Sequence, residues 1–370
     1  MKITYIFVTG RIDRLKNSED FAKEMFYGYD YFENKYNTQI IELHDKKSLI
    51  NKILRTIDRI VNKLTKLPFN MNNITSLENF KILHNSNQIV ISNDRLALSS
   101  LPMLVLCKLI KKEIKISFFV MGLFDQKKRN LVQKIFSNFL LKVLFKYCSN
   151  IIFLGIEEYN YSLDKFAGYS KKLHYLPFMV DVNFWKIDKI NKDKEGILFV
   201  GNDSNRQFDK VIKIANILDE INFTLVSKHY RINNKKIDLP NVKIIDGSWG
   251  NQKISDRELG NLYQNSKLVI IPLRESSQPS GQSVALQSMA LKTPVMITKT
   301  KGLWDKDNFQ HLENIYLIEN NSLDNWIRSI NEIFNNNLVL EKLANNGYDL
   351  VNDKYTHNTF NEKLSKILEL

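Results

Sequence analysis

Short runs of β-branched and aromatic residues alternate with longer helical patterns along the whole chain, and this alternation limits its fold more than any other feature. The first half offers ITYIFVT, QIIEL, QIVIS, KISFFVM, NIIFLG and LHYLPF as strands, and the second offers GILFVG, FTLVSK, NVKIID, KLVIIPL, PVMIT and IYLI. Nearly continuous apolar strands separated by helices belong to parallel sheets covered on both faces. Segments such as 208–221 and 324–334 supply helical patterns between them. The pattern restarts at Gly196, after the polar stretch KIDKINKDKE, which reads as a linker. A chain of 370 residues is also too long for one ordinary core. The expected class is therefore α/β, with two Rossmann-like domains, 1–188 and 189–351, facing each other across a cleft. A C-terminal helix over about 352–370 is expected to pack back on the first domain. Ligands of such sheets bind beyond the carboxyl ends of the strands.

Several classes are excluded. Two cysteines, Cys107 and Cys148, are too few for a disulfide framework or a cysteine zinc site, and fit a reducing compartment. The longest apolar run, 96–110, is interrupted by Ser99, Ser100, Pro102 and Lys108 and falls short of a membrane span. MKITYIFVTG reads as a first strand rather than a signal peptide. None of the six histidines has metal-ligand spacing, so no metal site is expected, and His84, His174 and His229 read as structural or surface groups.

Charge is unevenly placed. Lys and Arg outnumber Asp and Glu by 29 to 18 in residues 1–188, but only by 24 to 22 in 189–370. The first half is thus expected to meet something anionic. Two segments there combine helical apolar spacing with cations. One spans 47–64, with Ile53, Ile57, Ile60 and Leu64 beside Lys47, Lys52, Arg55, Arg59 and Lys63. The other spans 127–146, with Phe136 and Phe139 beside Lys127, Lys128, Lys134, Lys142 and Lys146. Basic amphipathic helices lie on anionic membrane surfaces; the competing reading is a core-facing helix with a lysine-rich outer face. No nucleic-acid motif or aromatic platform appears, so no nucleic-acid partner is expected.

The loop RESSQPSGQ between strand KLVIIPL and the helical run SVALQSMAL carries the clearest binding signal. Ser280 reads as the N-cap, and Gly281 permits close backbone approach. The amides of Gln282, Ser283 and Val284, with the helix dipole, would hold an anion. Gln287 lies one turn on from Ser283, and helical side chains lean toward the N-terminus. A phosphate at the helix start, with a hydroxyl-bearing sugar near Gln287, satisfies this pattern, and an ordinary capped αβ turn satisfies it equally well.

SGQSVALQSMALKTPVMIT resembles the donor-site segment of family-four glycosyltransferases of the GT-B fold, whose usual form is Glu-x7-Glu followed by AMACGKPVI. Gln287 falls on the second glutamate, which in that family bonds the ribose of a nucleotide sugar, and Pro279 falls on the first. TKGLWD resembles a subgroup in which SGQ replaces the glutamate-led loop. Being neutral, Gln287 both donates and accepts hydrogen bonds, so ribose recognition survives the change. GILFVGNDSNRQFD resembles the first strand and turn of the donor domain, where the family sets an Arg and a Lys on the diphosphate. Asn202 occupies the first basic position, and Arg206 lies near the second, where its guanidinium suits a phosphate. HYLPFMVDVNFW resembles the lead into the interdomain linker. TGRIDRLKNSEDFAKEMFYG matches the glycine loop where donor and acceptor meet.

The resemblance implies a transferase that moves a sugar from a nucleotide sugar, a UDP-sugar first among them, with retention and without metal or other cofactor. Gly10, Arg11 and Asp94 are the catalytic candidates, with Asp94 reading equally well as a helix cap. Arg14, Glu24 and Met121 are expected near the acceptor; Met121 stands where many family members carry a histidine. Lys228 and His229 are expected near the base. A lipid or lipid-linked glycan is the expected acceptor, at the inner face of a bacterial membrane with the protein cytoplasmic and peripheral. Two rivals stand beside this reading: a nucleotide-sugar 2-epimerase of the same fold, and a non-catalytic partner subunit.

Overall fold

The computed structural model describes residues 1–43, 49–124, 129–187, 193–229, 231–232, 235–248 and 253–370. Lys47, Lys127 and Lys128 lie outside the described residues. The chain divides into two compact units. Unit 1 comprises Met1–Lys16, Met25–Leu176 and Asn361–Leu370, and unit 2 comprises Asn17–Glu24 and Pro177–Phe360.

Unit 1 runs β1 (Lys2–Phe7), α1 (Arg11–Lys16), α2 (Tyr29–Glu33), β2 (Asn37–Glu42), α3 (Leu49–Thr65), α4 (Leu77–His84) and β3 (Gln88–Ile91). It continues through α5 (Asp94–Ile110), β4 (Lys115–Val120), α6 (Leu131–Tyr147), β5 (Asn150–Phe153), α7 (Ile156–Lys165) and β6 (Leu173–Tyr175). The six strands form one parallel sheet in the order β2-β1-β3-β4-β5-β6. Alternation along a strand sends successive side chains to opposite faces. Ile6, Ile91 and Phe118 accordingly pack with Leu104 of α5 and Phe145 of α6, while Phe7 meets Phe26 and Tyr29 on the other face.

Unit 2 runs β7 (Glu195–Val200), α8 (Phe208–Ile217), β8 (Phe223–Val226), β9 (Arg231–Ile232), β10 (Lys235–Lys236), β11 (Val242–Ile245), α9 (Asp256–Asn265) and β12 (Ser266–Ile271). It continues with α10 (Gln282–Ala290), β13 (Val295–Thr298), β14 (Tyr316–Ile318), α11 (Leu323–Phe334) and α12 (Asn337–Lys354). The last helix, α13 (His357–Leu368), begins in unit 2 and ends in unit 1. Its sheet is parallel, in the order β11-β8-β7-β12-β13-β14, and β9 and β10 form a separate antiparallel pair. Phe199, Leu225 and Ile270 pack with Val211 of α8 and Trp326 of α11 beneath it.

The division falls at Leu176/Pro177 rather than at 188/189. Residues just past β6 are bound into unit 2: Val180 bridges Thr356, and the Trp185 ring meets Tyr263 edge-on at 5.9 Å. The eight residues Asn17–Glu24 also join unit 2, which the strand pattern does not foretell.

Helix α3 turns its apolar stripe outward, against the core-facing reading. Its buried positions are Asn51, Asp58 and Thr65, whereas Ile53, Ile57, Ile60 and Leu64 are exposed. Asp58 explains the inversion, because its carboxylate accepts the Met71 and Asn72 amides at 2.9 and 3.2 Å. Thr65 Oγ1 accepts the Leu67 amide at 3.1 Å and so ties off the helix end. No helix among the described residues is long and apolar enough to cross a membrane.

Candidate functional site

In a doubly wound sheet, ligands collect where strand order reverses, outside the carboxyl ends of the two strands involved. In unit 2 that point lies between β7 and β12, so the loops following Val200 and Ile271 form the crevice. These loops are stitched together. Arg206 bridges Leu273, Gln207 N–H donates to Pro272 O at 2.9 Å, and Arg274 N–H donates to Asn205 O at 2.8 Å.

Helix α10 starts here. Its N-cap is Gly281 rather than Ser280, in a left-handed conformation (φ 91°), and no side chain caps the first turn. Ser280 is committed elsewhere, since its Oγ accepts the Asn205 side-chain amide at 2.9 Å. With no side chain on the cap, the first-turn amides of Ser283 and Val284 and the positive end of the helix dipole suit an anion. Arg206 supplies the matching charge. Its residue is 8% exposed, and Nη1 is buried with no hydrogen-bond partner among the described residues. That nitrogen lies 3.4 Å from where a Cβ on Gly281 would stand. Nε donates to Val200 O at 3.3 Å and lies 3.7 Å from Asp203 Oδ2, which aims the guanidinium. Burial lowers its pKa, opposed by the charges of Asp203 and Tyr263. Gly201 makes room for it, since a Cβ there would sit 2.5 Å from Arg206 Nε. An unpaired buried guanidinium nitrogen costs free energy unless an anion completes it.

Gln287 is placed one turn on, as expected, but its partners belong to the protein. Its Oε1 accepts Tyr263 OH at 3.1 Å, and its Nε2 donates to Glu24 Oε1 at 2.8 Å. Glu24, expected near the acceptor in the first half, is instead a buried member of unit 2. Trp185 Nε1 donates to the same Oε1 at 2.8 Å. Burial first, then the charge of Asp256, pushes the Glu24 carboxyl up to about 7, against the lowering effect of the Gln287 hydrogen bond. Asp256 and Asp181 in turn accept the amides of Ala22 and Lys23, which fixes this segment.

Lys228 and His229 follow β8. Asn202 Oδ1 accepts the Lys228 amide at 2.6 Å, and Asn202 Nδ2 donates to Gly247 O at 2.6 Å, tying the turns after β7, β8 and β11. A cavity of about 470 Å³ opens there, lined by Lys228, Ser227, Asp246 and Ser248 with Val242 and Ile244. The His229 ring lies on Phe208 at 5.6 Å.

In unit 1, strand order reverses between β1 and β3, and four expected residues gather near that point. Gly10 adopts φ 92°. The amides around it are taken by the chain itself, since Glu42 accepts those of Gly10 and Ile12 at 3.4 and 2.6 Å. Arg11 and Asp94 both act on the buried Tyr27 hydroxyl, which burial pushes up to about 12, with Arg11 lowering it and Asp94 raising it. Asp94 is the first residue of α5; the cap is Asn93, whose side chain accepts the Leu96 amide at 2.9 Å. Asp94 Oδ1 accepts the Met121 amide at 3.1 Å, and Glu158 holds the next turn through Gly122 N–H at 2.8 Å. Arg14 is buried in α1. Glu42, Glu158, Tyr27, Asn205 and Tyr263 carry no sequence signal of their own; Glu42 ends β2, Glu158 and Tyr263 lie in α7 and α9, and Tyr27 and Asn205 lie in connecting turns. Among the described residues, no group of three or more His, Cys, Asp or Glu could hold a metal ion.

Residues 183–350 match the family described as glycosyl transferases group 1. The matched region contains the β7/β12 crevice, Arg206 and all of α10. Sucrose-phosphate synthase from Thermosynechococcus elongatus superposes with a TM-score of 0.70 at 12% identity, over 100% of this chain and 98% of that one. Anabaena HepE in complex with UDP-glucose gives 0.62 at 15% identity, over 100% and 99%. An alpha-glucosyltransferase in complex with UDP-glucose and DNA containing an abasic site gives 0.62 at 12% identity, over 100% of both chains. The chain has the GT-B fold, and its second half carries the match to glycosyl transferases group 1. A search by sequence among curated proteins returns no match for this chain.

Proposed function

We propose that this glycosyltransferase takes its sugar from a UDP-sugar, with the donor diphosphate seated on the α10 N-terminus and Arg206. The observation that carries the reading is the buried Arg206 Nη1, which has no hydrogen-bond partner among the described residues and lies beside a helix start with no side-chain cap. The diphosphate gains negative charge as the bond to the sugar breaks. A fixed guanidinium and the amides of Ser283 and Val284 would stabilise that charge in a site shielded from water, the work that a metal does in other transferases. The UDP ligands of the HepE and alpha-glucosyltransferase structures support the choice of base. The ribose falls near Gln287, and the base enters the cavity beside Lys228.

Transfer with retention and without metal follows the family-four resemblance, with a donor phosphate oxygen taking the acceptor proton on the same face. Asp94 and Glu158 then serve to hold the turn after β4, where Met121 stands. The acceptor we propose is a lipid-linked saccharide, reached at the inner face of a bacterial membrane by a peripherally bound, cytoplasmic protein. Calorimetric titration with UDP, GDP, ADP and dTDP tests the donor reading; UDP should bind tightest. Incubation with UDP-sugars should release UDP slowly. Conversion of the sugar without release would favour an epimerase, and absence of any nucleotide binding would sink the donor site.

A further inference from the structure

We propose that the exposed apolar faces of α3 and α6 insert together into an anionic lipid bilayer; this rests on the reading of the protein as a transferase with a lipid-linked acceptor. A helix on a protein surface normally turns its apolar stripe inward. Helix α3 does the opposite. Ile53, Ile57, Ile60 and Leu64, at spacings of four, three and four, form one stripe that is 58%, 40%, 53% and 39% exposed. Asn51, Asp58 and Thr65 occupy the opposite side and are buried. Asp58 spends its carboxylate on the Met71 and Asn72 amides, so the outward stripe is fixed by the fold.

Helix α6 presents a similar face. Leu131, Val132, Ile135, Phe136 and Phe139 are 74%, 52%, 59%, 45% and 61% exposed, while Leu141, Leu144 and Phe145 pack inward. The two helices join where Gln133 Nε2 of α6 donates to Lys63 O of α3 at 3.1 Å, which places Leu64 near the start of α6. Nine large apolar side chains about half exposed amount to an area on the order of 800 Å², more than the few hundred Å² that a monomer ordinarily leaves in one patch.

The charges select the occupant. The one carboxylate on either helix is the buried Asp58. Lys52, Arg59 and Lys63 form an exposed row beside the α3 stripe, and Lys142 and Lys146 continue the outer face of α6 beyond its apolar half. Cations flanking an apolar patch match phosphate headgroups above acyl chains. A second copy of this chain would bring like charges together, which disfavours self-association through this face.

The experiment uses the full chain. Both native cysteines are buried, so Ile57→Cys or Phe139→Cys takes an environment-sensitive dye selectively. On addition of vesicles containing phosphatidylglycerol, both dyes should shift to the blue and be quenched by nitroxide placed on the acyl chains, with little change on pure phosphatidylcholine. The double variant Ile57→Asp/Phe139→Asp should lose at least thirty-fold in vesicle partition and keep wild-type affinity for UDP. Failure of the wild type to float with anionic vesicles, or undiminished binding by the double variant, overturns the proposal. So does an equilibrium dimer that the double variant splits, or capture by an acidic protein in place of lipid. The UDP titration reports on the donor site separately, so a lost nucleotide affinity and a lost vesicle affinity point to different failures.

Discussion

Glu24 and Arg206 each hold an ionisable group away from water, with opposite consequences. The carboxyl of Glu24 stands at about 7, above its ordinary value, because burial and Asp256 disfavour its charge. A carboxyl raised on folding binds its proton more tightly in the folded state. Its stabilising contribution is therefore present at low pH and lost as pH rises from the unfolded value, about 4.5, through about 7. The loss should approach ~3 kcal/mol, and Glu24→Gln should flatten this part of the profile in denaturant melts taken from pH 5 to 8. In the proposed donor site, Arg206 is held for a ligand rather than for the fold. Arg206→Ala should weaken UDP binding about 100-fold by calorimetry while changing apo stability by less than about 1 kcal/mol. Arg206→Lys should recover only part of the affinity, because an ammonium lacks the planar fork. Arg206 could be picked from the sequence because GILFVGNDSNRQFD resembles a donor-domain turn that carries a diphosphate-binding cation. The Glu24–Gln287 pair could not, since nothing local links residues 263 positions apart.

Among the elements, all twelve strand runs of the sequence occur in the two sheets, because buried parallel strands are written as uninterrupted apolar text. The β9/β10 pair was not readable, as two-residue strands show no period. Helix α3 shows a subtler limit. Periodicity reveals that a helix has two unlike faces, and leaves open which one the protein buries. Here a carboxylate that caps a neighbouring turn decides it. Asp58→Ala, which strands two buried amides, should cost ~2 to 3 kcal/mol in urea melts. Ile57→Ser on the outer stripe should stay within about 0.5 kcal/mol. The reverse ranking would mean that the apolar face is the one that packs. The start of α10 was legible for a related reason: a glycine before an apolar helical run marks an open helix end, although the cap fell one residue later than expected.

Over the whole molecule, the charge excess of residues 1–188 and the nearly balanced remainder predict two salt responses. Binding to anionic vesicles should fall at least ten-fold between about 0.05 and 0.5 M NaCl, as exposed cations are screened. UDP affinity, which in the proposed donor site rests on a buried guanidinium and helix amides, should fall much less over the same range. Equal salt sensitivity would contradict a shielded donor site. The division of the chain bears on how the protein can be dissected. Because Asn17–Glu24 belong with Pro177–Phe360, no single cut yields either half intact. A recombinant fragment beginning at Pro177 would strip Gln287 and Trp185 of their shared acceptor and leave two donors stranded in apolar surroundings. Such a truncate should therefore aggregate or bind nucleotide poorly for reasons unrelated to its binding groups, and should regain solubility when a peptide spanning 17–24 is added back.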